Sequence, residues 1–253
     1  MKFRFKAFGL HLAASAIVLT FVPGGLYLGW YRWPGWYLCN ALDIVGILLL
    51  VDLTLGPLLT LLIANPKKSR RELVRDVGII VCVQVAALIY GAATLWNGRP
   101  LYYTFSEDRL QLVQASDLKT DEIERAQKEN PPLAPRWYSL PRWVWAPLPD
   151  AAGERRSIVV SALTGGGDVI EMPRYFKPWQ DGLTALRAQL KTIDAQRDPR
   201  LHRAAKLLRG KMQQRGLAAD EPVTLIMTGQ GSPLLAVFDR DTLKLRSLLR
   251  SDR

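Results

Sequence analysis

Residues 41–64 read ALDIVGILLLVDLTLGPLLTLLIA, an apolar run that carries two acids and no base. A helix needs about 20 mainly apolar residues to cross a bilayer core of roughly 30 Å, so this stretch predicts a membrane span. Working outward, two further segments have the same character, Ala7–Tyr31 before it and Val77–Trp96 after it, and neither contains Lys or Arg. Pro23-Gly24-Gly25 is predicted to kink the first span or to end its regular part early. Lys2, Arg4 and Lys6 could belong to a signal peptide. No small-x-small cleavage site precedes a polar start, and two more spans follow, so the segment reads as a retained span.

Beyond Trp96 the composition becomes that of a soluble domain. The chain therefore reads as a membrane protein, with an N-terminal three-helix transmembrane bundle over residues 1–96 and a C-terminal soluble α+β domain over 97–253. Nine of the 34 bases and four of the 23 acids fall before residue 97, so the net charge of +11 divides as +5 and +6. The bases of the first part form two short clusters, and the second part mixes both signs along its length. That pattern is a solvated surface rather than a nucleic-acid footprint, and no nucleic-acid partner is expected. Both cysteines, Cys39 and Cys82, lie outside the soluble domain, which rules out a disulfide framework or a cysteine-type zinc site there. They fall near opposite ends of the spans, too far apart for a bridge to each other.

Basic residues of short loops stay in the cytoplasm. Lys2, Arg4 and Lys6 flank the first span; Lys67, Lys68, Arg70, Arg71 and Arg75 fill the connection between the second and third. Both clusters belong on one side. The opposite connection, Arg32-Trp33-Pro34-Gly35-Trp36-Tyr37, has one base and an aromatic belt suited to lipid headgroups. The expected location is a bacterial inner membrane, with the N-terminus cytoplasmic and the soluble domain periplasmic.

The most informative motif is Val51-Asp52-Leu53-Thr54-Leu55-Gly56-Pro57-Leu58-Leu59-Thr60. An ionisable residue near mid-bilayer is costly unless it is protonated, paired or facing a wet cavity, so Asp52 needs a partner. Gly56 and Thr60 follow at i+4 and i+8 and share its helix face, where a glycine lets another helix approach closely. Pro57 removes one backbone hydrogen bond and is expected to free the Leu53 carbonyl. Thr20 is expected near the depth of Asp52, with Ser15 and Gln84 deeper toward the cytoplasm. Two readings follow. In one, Asp52 is a packing device within its own bundle; in the other, Asp52, Gly56, Pro57 and Thr60 contact another membrane helix, and Ser15, Thr20 and Gln84 are polar partners within the chain. His11 and Asp43 are expected near opposite membrane edges, too far apart in depth to form a proton relay.

In the soluble part, Pro100–Phe105 and Arg109–Gln114 predict a hairpin, and Leu118–Asn130 a helix with Asp117 as N-cap. Residues 131–149 predict an extended segment around Trp143-Val144-Trp145. Ser157–Leu163 is ambiguous between helix and strand and ends at Gly165-Gly166-Gly167. Trp179–Gln196 and Pro199–Gln214 predict helices; Val223–Met227, Leu234–Phe238 and Leu243–Leu249 predict strands. Catalytic signatures are lacking. The triple glycine has no following Gly-Lys-Ser/Thr, and Gly229-Gln230-Gly231 reads as a turn between strands. His202 stands on a basic helical face with Arg203 and Lys206, where a solvated surface is the simpler reading than an acidic partner or phospholipid headgroups. Neither an enzyme activity nor a cofactor or metal is expected.

Lys6-Ala7-Phe8-Gly9-Leu10-His11-Leu12, Asp52 to Leu61, Gln84-Val85-Ala86-Ala87-Leu88-Ile89-Tyr90-Gly91, Arg99-Pro100 and the hairpin Tyr102–Asp117 together resemble the type IV pilin accessory proteins of the TfpX/TfpZ kind, related to the fimbrial accessory protein FimB. The middle of the soluble part resembles them only in layout. The resemblance implies a non-enzymatic, chaperone-like or assembly-modulating protein of the inner membrane that binds the major type IV pilin through both its membrane helix and its globular head. A membrane-anchored periplasmic sensor or adaptor of another envelope or secretion system shares the same physical features; a pilin-modifying enzyme is disfavoured by the lack of an acidic or histidine cluster. Oligomeric state is not readable from the sequence.

The charge asymmetry makes a direct prediction. A reporter active only in the periplasm will work when fused after Trp36 or Arg253 and fail after Arg70; the opposite pattern would invert the topology. The roughly 150 residues after Trp96 are also enough to bury a core, so a fragment starting near Asn97 is expected to be soluble, monomeric and cooperatively folded.

Overall fold

The computed structural model describes residues 2–65, 67–191, 205–217 and 224–250. The chain divides into two compact units, Met1–Trp36 with Asn40–Gly98, and Tyr37–Cys39 with Arg99–Arg253.

The first unit consists of α1 (Lys2–Gly29), α2 (Ala41–Ile63) and α3 (Arg70–Asn97), each long and apolar enough to cross a membrane. Their outward faces carry bare aliphatic side chains, among them Leu10, Ile47 and Ile89. α1 runs through Pro23-Gly24-Gly25 without ending. In an apolar solvent an unwound backbone has no water to bond, so continuing past the proline costs less than stopping there. α3 starts on a capping box: Ser69 Oγ accepts the Glu72 N–H, and the Glu72 carboxylate accepts the Ser69 N–H at 2.9 Å. That start draws Arg70, Arg71 and Arg75 into the helix rather than leaving them in a loop. α2 is not uniform: a π-helical turn, Leu50–Leu55, separates α-helical Ala41–Leu49 from Gly56–Ile63.

The second unit is built on a mixed sheet of β1 (Pro100–Ser106), β2 (Arg109–Gln114), β3 (Arg142–Trp145), β4 (Lys177–Pro178), β5 (Thr224–Thr228), β6 (Leu234–Phe238) and β7 (Leu245–Arg250). Their order is β4-β3-β1-β2-β5-β6-β7. Ser106 pairs with Arg109, so Glu107-Asp108 forms the two-residue turn of the first hairpin, and Glu107 takes the left-handed conformation that such a turn requires. β3 runs parallel to β1 and β5 parallel to β2; the other pairs are antiparallel. The parallel strands β1 and β3 are joined through β2 and then α4 (Thr120–Glu129), which together make the long connection a parallel pair needs.

Alternation along the strands directs side chains to two faces. On one, Tyr102, Val113 and Val144 pack with Ile158 of α5 (Ala152–Leu163) and with Val169, Ile170 and Phe176. On the other, Trp179 stands 6.3 Å from Phe105, 5.1 Å from Trp143 and 6.4 Å from Phe238, measured between ring centroids, and leads into α6 (Leu183–Gln189), whose Leu186 is fully buried. Farther along the sheet, Leu208 and Met212 of α7 (Ala205–Gln214) pack on Leu235, Val237 and Leu249.

Several sequence expectations change in detail. The ambiguous segment is helical and begins at Ala152, because one face of it meets the sheet through Ile158. Asp117 accepts the Gln114 N–H at 2.8 Å and closes a short turn instead of capping α4, whose N-cap is Lys119. The helix expected over Trp179–Gln196 is a short 3-10 turn followed by α6, after which Lys191 bonds Thr224 in both directions across the sheet. The rest of that segment, Asp198-Pro199, the start of the next helix with His202 and Arg203, and Val223 lie outside the described residues.

Phe105 has 1% of its surface exposed and lies between Trp179 and the strand pairs. Phe105→Ala will destabilise the second unit by about 3–5 kcal/mol, because the void cannot collapse around a sheet position. Denaturant unfolding of the full chain in detergent, followed by tryptophan fluorescence, measures it.

Candidate functional site in the membrane unit

The polar side chains of the three long helices converge. His11 of α1 places Nδ1 2.6 Å from Thr60 Oγ1 and Nε2 2.7 Å from Gln84 Oε1. Gln84 of α3 donates from Nε2 to Asp52 Oδ1 at 3.2 Å and to the Asp52 main-chain carbonyl at 3.3 Å. Thr60 Oγ1 donates to the Gly56 carbonyl at 3.0 Å. Because the amide nitrogen of Gln84 faces two oxygens, its oxygen faces the ring, and His11 Nε2 carries a hydrogen and donates. The result is a chain of hydrogen bonds from Thr60 through His11 and Gln84 to Asp52, with Asp52, Thr60 and Gln84 all buried.

The motif around Asp52 explains this geometry residue by residue. In the π turn the Gly56 N–H reaches back to the Val51 carbonyl. The donor that would serve the Asp52 carbonyl in that register belongs to Pro57, which has no N–H. Gln84 fills the gap. The carbonyl met by the third helix is thus that of Asp52, one residue before Leu53, because the proline acts within a π turn rather than an α-helix. Gly56 makes the approach possible: a Cβ there would stand 2.1 Å from Gln84 Nε2. The same helix pair meets again at Gly91, where a Cβ would stand 2.7 Å from Leu48 Cδ2. The two contacts run in opposite directions along α2 and α3, which sets an antiparallel register.

Of the candidate residues, Asp52, Gly56, Pro57 and Thr60 are buried against α1 and α3 of their own bundle, with Gln84 at the centre. Ser15 and Thr20 stand apart from the cluster; Thr20 is exposed and donates to Ala16 of its own helix at 2.7 Å. Asp43 is exposed. His11, read from the sequence as interfacial, is instead a full member. The available signal was Thr60: it lies four residues from the end of the second apolar segment, as His11 lies four from the start of the first, so their depths match. Asp52 keeps one unused acceptor, since no hydrogen bond among the described residues reaches Oδ2.

Among the described residues the second unit offers no comparable arrangement. Its buried Glu122 pairs with Arg174 at 3.2 Å and Arg125 at 3.3 Å. Among the described residues no group of three His, Cys, Asp or Glu side chains could hold a metal ion. Gly165 adopts a left-handed conformation that terminates α5, so the triple glycine is a helix stop.

No family model matches the chain, and no solved structure matches it. Among curated proteins it is similar to the fimbrial assembly protein, serogroup I, of Dichelobacter nodosus, at 26% identity over 194 residues, 76% of this chain and 73% of that protein. It is 28% identical over 127 residues to the serogroup E1 fimbrial assembly protein of the same organism, 50% of this chain and 49% of that one. The fimbrial assembly protein of serogroups C1 and C2, also from that organism, is 28% identical over 124 residues, 49% of this chain and 95% of the relative.

The fit of Gly56 against Gln84 can be tested by a double-mutant cycle. Gly56→Val will destabilise the bundle by about 1–3 kcal/mol through overpacking, and much of that loss will disappear when Gln84→Ala is present. Thermal unfolding of the four forms in detergent gives the coupling; additive losses would mean that the two side chains do not meet.

Proposed function

We propose that the chain is an inner-membrane accessory protein of type IV fimbrial assembly, which binds the major pilin and acts on it as a chaperone or assembly modulator without catalysis. The observation that carries this reading is the similarity to three fimbrial assembly proteins, one of them spanning about three quarters of both chains. The architecture supports it. An unassembled pilin presents an apolar helix to the bilayer and a folded head to the aqueous side. A protein with both a helical bundle and a soluble domain can engage the two together, and the second contact then forms at high effective concentration. The charge distribution of the loops supports a cytoplasmic N-terminus and a periplasmic soluble domain.

In this reading Asp52, Gly56, Pro57 and Thr60 serve the pilin contact through the shape and polarity they give the bundle. Asp52 supplies the specific group. Its Oδ1 is taken by Gln84, while its Oδ2 has no bond among the described residues and can accept from a cationic amine on the pilin helix. Asp52→Asn retains an oxygen for Gln84 and replaces the second acceptor by a donor.

The variant should accumulate to normal levels. In-membrane cross-linking to pilin should fall about tenfold, the loss of one charge-assisted hydrogen bond, and surface piliation should fall with it. Full piliation by Asp52→Asn, or loss of the accessory protein itself as the only effect, would remove Asp52 from the contact. Failure of pilin to co-purify with the unaltered chain would remove the partner.

A further inference from the structure

Tyr37-Leu38-Cys39 lies in the connection between α1 and α2, yet belongs to the compact unit of the C-terminal sheet. Leu38 has no exposed surface, and Cys39 is buried beside it. The Leu38 carbonyl accepts the Gly231 N–H at 2.8 Å. Gly229 presses on the same group: a Cβ there would stand 2.7 Å from Leu38 O and 2.9 Å from Leu38 Cβ. Gln230, between the two glycines, donates to Gln114 Oε1 at 2.7 Å and so ties the turn to the end of β2. The Arg250 guanidinium sits 4.3 Å from the Tyr37 ring centroid. Each residue of the Gly229-Gln230-Gly231 turn thereby has a use that a bare connection between β5 and β6 would not require. The first glycine leaves room for a main-chain approach, the glutamine ties the turn to β2, and the second glycine supplies an N–H.

We infer that Tyr37-Leu38-Cys39 is a built-in peptide ligand of the β5–β6 turn, an anchor that makes the second unit hold the connection between the first two membrane-length helices. The sheet is therefore joined to the membrane helices at two places in the chain, covalently at Gly98-Arg99 and through this tripeptide. The anchor rests on contacts within the second unit and stands whether or not the partner is a pilin. A fragment starting near Asn97 lacks these three residues, and with them the contacts that Leu38 makes with Gly229 and Gly231.

Cys39 reports on the anchor. Its thiol is buried, and burial pushes it up to about 12, so the anchored residue offers little thiolate to an alkylating reagent. The full chain carrying Cys82→Ser, which removes the exposed second thiol, is treated in detergent with a maleimide while a parallel sample is digested with trypsin. Cys39 should label at least about tenfold more slowly than in denaturant. Leu38→Asp and Gly229→Val should each raise the labelling rate by about tenfold or more. Residue 38 lies far outside the 99–253 stretch in sequence, so loss of the trypsin-resistant sheet fragment in Leu38→Asp would equally show that Leu38 is part of that fold. The inference is overturned if Cys39 labels freely in the otherwise unaltered chain. It is also overturned if both substitutions leave labelling and trypsin resistance unchanged.

Discussion

A carbonyl without a donor in its own helical register governs the three-helix unit of this protein. In the π turn at Leu50–Leu55 the Gly56 N–H goes to the Val51 carbonyl, and Pro57, next in that register, has no N–H to give the Asp52 main-chain oxygen. Lipid cannot replace that partner, and an unsatisfied peptide group in hydrocarbon costs several kcal/mol. A neighbouring helix must therefore bring a side-chain donor to one definite position. Gln84 is that donor, Gly56 is the clearance that admits it, and the amide's other end then requires a donor of its own, which His11 provides. Three helices are tied by one chain of consequences that begins with a proline. Helix association in a bilayer has no hydrophobic drive, so such polar contacts and small-residue clearances carry much of the specificity. The repeated glycine contact at Gly91 and Leu48 extends the same register toward the other end of α2.

The second unit is organised by its sheet. Its sheet is covered on both faces, and the residues that alternate along β1 divide cleanly: Tyr102 toward the helices of one face, Tyr103 and Phe105 toward the tryptophans of the other. Gly182 is the price of that second cover, since a Cβ there would stand 2.6 Å from Trp145 Cγ. Asp239 organises the β6–β7 hairpin by accepting from Thr242 N–H and Oγ1 at 2.9 Å each, and from Arg246. These bonds to the charged form hold its carboxyl well below the usual range.

The three long apolar helices and most strands were legible because their signals are local. Apolar length reports a span wherever it occurs, and the alternation in Arg109–Gln114 and Leu234–Phe238 survives intact into β2 and β6. Gly56 as a clearance residue and Gln84 as a partner also follow from sequence, since a small residue on the face of a buried acid invites a polar helix. What escaped depends on register between distant segments. A proline's freed carbonyl moves by one residue when the helix locally winds as a π turn, and nothing in Leu50–Leu55 announces that winding. Ser15 and Thr20 sit at plausible depths, but depth without rotation cannot tell a cluster member from a lipid-facing residue, and Thr20 resolves its hydroxyl on its own backbone. Tyr37 reads as the end of an aromatic belt, and nothing in the sequence assigns Leu38 a partner, because composition describes a loop's solvent and not the segment it packs on.

The polar network bears on how a membrane partner could be recognised at all. A bundle that satisfied every polar atom internally would present only aliphatic side chains, and its choice among partner helices would rest on shape alone. Here the helix faces are largely aliphatic, while Asp52 spends Oδ1 inside the bundle and holds Oδ2 with no bond among the described residues. The internal half of the carboxylate fixes its position through Gln84, which in turn is fixed by His11 and Thr60; the other half is held at low dielectric with its rotamer already chosen. A preorganised acceptor of that kind loses little entropy on binding and discriminates strongly against helices that bring no donor. Under the proposed function, His11, Thr60 and Gln84 would therefore act on specificity through the carboxylate they orient, and their substitution would be felt in partner choice even where the bundle still forms.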